Sequence, residues 1–99
     1  MSYFVVCTFD LKKASYDDYQ NAYADLAKLG LFREITSGKK GDKVMLPTTT
    51  TAGEFNGTSA ASVRDDLLER VKRAFKARGF KFEIFISVGG DWAWGHTAT

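Results

Sequence analysis

The run Tyr3-Phe4-Val5-Val6-Cys7-Thr8-Phe9-Asp10 limits what this chain can fold into more than any other stretch. Apolar and β-branched side chains fill it almost without interruption, the pattern of a strand covered on both faces, and it stops abruptly on a carboxylate. Such a strand belongs inside a sheet. Its last residue emerges at the sheet's edge, where the active sites of layered folds often lie.

Downstream elements supply the cover. Ser15 and Asp18 have the spacing of a capping box, and Tyr19, Ala22, Tyr23, Leu26 and Leu29 recur at intervals of three and four up to Gly30, a good left-handed terminator. This predicts a first helix whose apolar stripe faces a sheet and leaves Asp17, Asp18 and Asp25 to solvent. Leu31 to Thr36 reads as a second strand, Ser37 to Asp42 as a hairpin connection, and Lys43 to Leu46 as a third strand broken by Pro47. Thr48 to Thr51 can extend that strand, and Ala52 to Thr58 has the composition of a loop.

Thr58, Ser59 or Ser62 can cap a second helix, with Ser62 and Asp65 spaced like a box. Val63, Leu67, Val71 and Phe75 line its inner face as far as Arg78, and Gly79 ends it. Phe82, Ile84, Ile86 and Val88 alternate with Glu83, Phe85 and Ser87 in a last strand. The order is βαββαβ. It predicts an α+β, ferredoxin-like fold over residues 1–90, a four-stranded antiparallel sheet with two helices on one face, followed by an extended C-terminal tail over 91–99.

That architecture leaves one sheet face bare. Strand one places Tyr3, Val5, Cys7 and Phe9 on one side and Phe4 and Val6 on the other, and with 99 residues and 14% aromatic content the domain is small enough to gain from association. A homodimer with an isologous interface is the simplest cover. Trp92 and Trp94 alternate as in a strand, so the tail reads as a latch onto its own sheet or a partner's, with nucleobase stacking as the lesser reading. His96 is the only histidine, so a histidine pair for metal or proton relay is excluded.

The single cysteine, Cys7, lies within the apolar run and cannot form an internal disulfide, which suits a reducing cytoplasm. No stretch approaches the roughly 18 apolar residues expected of a membrane span, so no membrane association is expected.

Asp10 is the first candidate for chemistry. A carboxylate at the exit of a buried strand can hold a magnesium or manganese ion, and it can equally cap a turn. Asp91 is a candidate second carboxylate near it. Thr48, Thr49, Thr50 and Thr51 offer hydroxyls and amides able to hold an anion, although without Gly-Lys-Ser or Gly-Lys-Thr they are no P-loop. A threonine-rich edge strand accounts for the same run. The net charge of +2 announces no nucleic-acid protein, so a basic surface has to come from clusters. Lys39, Lys40 and Lys43 form one. Arg70, Lys72, Arg73, Lys76, Arg78 and Lys81 form another, suited to phosphate contact or simply to a solvated helix end.

Thr8-Phe9-Asp10-Leu11 at the end of strand one, a helix closing on Leu29-Gly30-Leu31-Phe32-Arg33, a hairpin and a late basic helix together resemble the small CRISPR adaptation ribonuclease-fold proteins and the related virulence-associated protein D toxins. The resemblance implies a ferredoxin-like homodimer, joined partly by C-terminal strands, that binds RNA or DNA and in some members cleaves it with a divalent metal at the strand-one aspartate. Asp10 is the one position that carries over. Residues 48–58 and the Gly89-to-Trp94 segment depart from the pattern. The leading expectation is therefore a nucleic-acid-binding dimer acting as a metal-dependent endoribonuclease. The alternative is a non-enzymatic phage or mobile-element accessory protein that binds a protein partner through its dimer surface and aromatic tail. A third reading is a small-molecule enzyme or sensor built on the threonines and tryptophans.

Overall fold

The computed structural model describes residues 1–37 and 41–99. Its elements in chain order are β1 (Ser2–Leu11), α1 (Tyr16–Lys28), β2 (Glu34–Thr36), β3 (Lys43–Met45), β4 (Thr50–Asn56), α2 (Ala60–Ala77) and β5 (Phe82–Gly89). β1 follows its side-chain alternation. Tyr3, Val5, Cys7, Phe9 and Leu11 are buried beneath the helices, whereas Phe4, Val6 and Thr8 are half-buried on the opposite face and Asp10 is exposed.

Both helices begin where backbone donors are satisfied by side chains. Ser15 Oγ accepts the Asp18 N–H at 3.1 Å and Asp18 Oδ2 accepts the Ser15 N–H at 3.1 Å, the expected reciprocal box. For α2 the box is Ser59 with Ser62, not Ser62 with Asp65: the two serines exchange bonds of 3.0 and 3.2 Å. Gly30 at φ +93° and Gly79 at φ +76° follow the two helices in the left-handed conformation that glycine adopts without steric cost.

Ala22 and Leu26 of α1 and Val63, Leu67, Val71 and Phe75 of α2 close over the inner face of β1. Phe75 is the hub. Phe9, Phe80 and Phe82 meet its ring edge-on at centroid distances of 5.5, 5.6 and 5.7 Å, a geometry favoured by the ring quadrupoles. At the far end of the helices, Arg78 Nε and Nη2 donate to the two carboxylate oxygens of Asp25, each at 2.9 Å. Asp25 is thus drawn out of solvent as a partner for α2, contrary to its expected exposure.

The antiparallel pairing gives two sheets, of three and two strands, where the sequence suggested one of four. The main sheet runs β4-β1-β5, and β2 pairs only with β3 as a hairpin. The neighbour of β1 on that side is Thr50–Asn56, with Ala52 to Asn56 expected as loop, and not the Lys43–Met45 strand. Pro47 and Thr49, the latter at φ 62°, turn the chain out of the hairpin before β4 begins. The glycine that made β4 look like loop has a packing role: a Cβ on Gly53 would collide with the carbonyl oxygen of Gly30, so the bare backbone lets the end of α1 approach the sheet. One bridge, Phe32 to Ala52, ties the hairpin to the outer edge of β4 through two backbone bonds of 2.9 Å.

Candidate functional site

The register of the β1–β5 ladder decides which groups meet at the end of β1. Asp10 pairs with Glu83, Phe9 with Ile84 and Thr8 with Phe85, whereas Phe4 pairs with Gly89. Asp91 therefore follows the opposite end of β1 and cannot supply the second carboxylate beside Asp10. An antiparallel partner necessarily brings the beginning of β5 to the end of β1. The acidic neighbour is Glu83, legible beforehand only as one of three outward residues on the last strand.

Asp10 opens onto a shallow cavity of about 440 Å³ lined by Thr8, Thr49, Glu83 and Phe85 among others. Tyr19, which the helical spacing marked as core, reaches the same place with its hydroxyl. That oxygen lies 3.2 Å from Asp10 Oδ1 and 3.0 Å from the Leu11 carbonyl, sharing its proton between them, and it accepts the Leu11 N–H at 3.3 Å. The end of β1 is thereby satisfied beyond Thr50, the first residue of β4, and one oxygen of Asp10 is given a fixed neighbour.

Thr49 forms the opposite wall under strain. A β-branched residue at positive φ is a rare backbone state, and three contacts impose it here. The Thr49 N–H donates to the Tyr23 hydroxyl at 2.9 Å, its carbonyl accepts the Phe9 N–H at 3.1 Å, and its own Oγ1 donates to the Thr48 carbonyl at 2.6 Å. Tyr23 is itself pinned by the Arg33 guanidinium, which lies 4.1 Å from the ring centroid while Arg33 Nε is buried without a hydrogen-bond partner. Thr49, Arg33 and the hydroxyl of Tyr23 support the site in ways that apolar periodicity does not reveal.

The other expected sites fall in different places. Of the threonine run, the Thr49 and Thr50 amides are engaged by Tyr23 and the Pro47 carbonyl, and Thr51 is buried with its hydroxyl donated to the Cys7 carbonyl at 3.0 Å. Thr48 is exposed, and the run leads into β4 and not into a helix. Burial pushes the Cys7 thiol up to about 11, with Thr51 partly offsetting it, so the sulfur is an inert core group at neutral pH.

Lys39 and Lys40 lie outside the described residues. Lys43 sits 3.7 Å from Glu34 across the hairpin. Arg70 and Arg73 pair with Asp66 and Glu69 one turn earlier on α2, and Arg78 with Asp25. Among the described residues no ion pair holds Lys72, Lys76 or Lys81. Half of the basic cluster is therefore paired, Arg70 and Arg73 within α2 and Arg78 with α1.

At the other end of the open face, Trp92 stacks on Phe4 at a centroid distance of 5.8 Å with the rings 21° apart. Trp94 lines the same groove, so the tail folds back over its own sheet. The two indoles remain 36% and 37% exposed, and Phe85, in the middle of β5, is 66% exposed. His96 is exposed beyond them. Among the described residues no helix is long and apolar enough to cross a membrane, and no three His, Cys, Asp or Glu side chains are grouped to hold a metal. The chain matches no protein-family model and no curated protein.

Proposed function

We propose that this chain is a ferredoxin-like protein, related to the CRISPR adaptation ribonuclease-fold and virulence-associated protein D group, that works as a homodimer on RNA or DNA as a metal-dependent endoribonuclease centred on Asp10. The observation that carries this reading is the direct pairing of Asp10 with Glu83 at the open end of the sheet. Like charges opposed across a ladder are unfavourable by themselves, so a cation is the natural complement of the pair. Magnesium takes only one or two protein carboxylates and keeps much of its water, and Asp10 and Glu83 meet that requirement, with the Thr8 and Thr49 hydroxyls beside them. Bound there, magnesium or manganese supplies charge neutralisation at a phosphoryl oxygen and an acidified water.

The chain's own groups have definable parts. Tyr19 orients Asp10 through Oδ1. Phe85 offers an exposed ring against which a base can stack. Lys72, Lys76 and Lys81 are free to meet phosphates. Arg70 and Arg73 can exchange partners cheaply, because exposed ion pairs of this kind are worth only about 0–1 kcal/mol. The Phe32–Ala52 bridge supports a four-strand, ferredoxin-like arrangement with the start of the hairpin as its outer member, and the exposed ring of Phe85 on the open face, beside half-buried Val6, supports the dimer.

The test is cleavage of end-labelled RNA with magnesium or manganese. Parent protein is expected to cut, and both Asp10→Ala and Glu83→Gln to fall to background while remaining folded by circular dichroism and thermal melting. Undiminished cleavage by Asp10→Ala sinks the catalytic role, and a monomer at every concentration in analytical ultracentrifugation sinks the dimer.

A second reading has an observation of its own. β5 is an edge strand with no proline and Glu83 as its only charge, an invitation to strand addition by another protein. As a phage or mobile-element accessory protein, the chain would bind a protein partner through that edge and the tail. Loss of partner capture on deleting residues 91–99, with no cleavage under either metal, would favour it.

A further inference from the structure

Glu34 of β2 and Glu54 of β4 belong to different sheets, yet both line one groove of about 600 Å³ between the open face and the hairpin. Four of the nine other lining residues are aromatic. Phe4, Phe32, Trp92 and Trp94 contribute rings, while Ala52 and Gly53 add little side-chain bulk to the lining. No lysine or arginine lines it among the described residues. Lys43 approaches Glu34 only from outside, in a solvent-exposed pair at 3.7 Å that competes weakly.

This chemistry selects one kind of ligand. The face of an aromatic ring carries negative potential and attracts cations, most strongly from tryptophan, and two carboxylates add to that field. A nucleotide could stack on the rings, but its phosphates would meet Glu34 and Glu54. A neutral apolar ligand would leave both carboxylates without partners. Two acidic groups on separate strands, sharing one groove with four aromatic rings, complement a molecule with positive ends and a methylene chain between them.

We propose that this groove binds a linear polyamine, its ammonium groups on Glu34 and Glu54 and its methylenes across Phe4, Phe32 and the two tryptophans. The site is independent of the Asp10 end of the sheet and of any nuclease activity.

Tryptophan fluorescence reports on it directly, because Trp92 and Trp94 are the only tryptophans in the chain. At constant ionic strength, spermidine is expected to give a saturable change, and a neutral diol of matching length none. The Glu34→Gln/Glu54→Gln variant, with its melting temperature preserved, is expected to bind spermidine about tenfold more weakly or worse. Several results would overturn the proposal: equal responses to spermidine and the diol, unchanged affinity in the double variant, or no response at all. Saturation by adenosine monophosphate and not by spermidine would make the groove a base-stacking platform instead. Tighter binding of an oligolysine peptide than of spermidine would reassign it to a protein partner. Should the double variant fail to fold, the contrast between spermidine and the diol on the parent protein decides.

Discussion

Asp10 and Glu83 stand directly opposite each other across the β1–β5 ladder, two carboxylates at the open end of the sheet. Their repulsion lowers stability unless a cation intervenes. Replacing Glu83 with threonine, a good strand former, is expected to raise stability by about 0.2–1 kcal/mol. The gain should shrink in high salt, where exposed charges are screened. Urea melts of both proteins at low and high sodium chloride check this, and a loss of stability in Glu83→Thr at low salt would contradict it.

Thr49 is held at φ 62° by its contacts with Tyr23 and Phe9. Thr49→Gly relieves a left-handed cost of roughly 1–2 kcal/mol and adds a chain-entropy cost of about 0.5–1 kcal/mol, leaving a net stabilisation of about 0–1.5 kcal/mol. Thr49→Pro demands a negative φ and removes the N–H that Tyr23 accepts, so it should be strongly destabilising. The pair of thermal melts distinguishes backbone strain from a mere side-chain effect.

Phe75 is fully buried among Phe9, Phe80 and Phe82. Phe75→Ala is expected to cost about 3–5 kcal/mol. Against a total stability of about 5–15 kcal/mol for an ordinary domain, that brings the protein near its unfolding threshold. The loss is measurable as a lowered urea midpoint.

Cys7 gives the protein an alkaline limit. Its thiol is raised from 9.0 to about 11 by burial, so between those values the unfolded chain releases a proton that the native state keeps. The corresponding stability is fully present below pH 9 and is lost as pH rises toward about 11, at up to about 1.4 kcal/mol per pH unit. Cys7→Ala should flatten that part of the curve. Melts of the two proteins from pH 8 to pH 11 compare the slopes directly.

The inner half of this fold is legible in the residues. The alternation in β1 and the stripes that run through Leu26 and Phe75 each state a period, and burial of Ala22, Leu26, Val63, Leu67, Val71 and Phe75 follows it. What escaped depends on groups that meet only through tertiary register. Glu83 faces Asp10 because β5 runs antiparallel to β1, a fact that also carries Asp91 to the far end. Gly53 looks like loop until the carbonyl of Gly30 is seen to need its missing side chain. Tyr19 and Tyr23 were legible as apolar ring bodies, whereas their hydroxyls act on Asp10 and Thr49 at distances no local pattern encodes. Asp25 likewise looked solvated because its partner, Arg78, lies at the end of the other helix.

The position of β1 also governs how the chain can be made. Both of its ladder partners, β4 and β5, follow it in sequence, and β5 does so only after both helices. During synthesis the most apolar strand therefore leaves the ribosome with both edges vacant, and the second closes only once Gly89 has been added. A chain cut short before β5 keeps an open edge on its central strand, a state prone to capture by other chains or by chaperones.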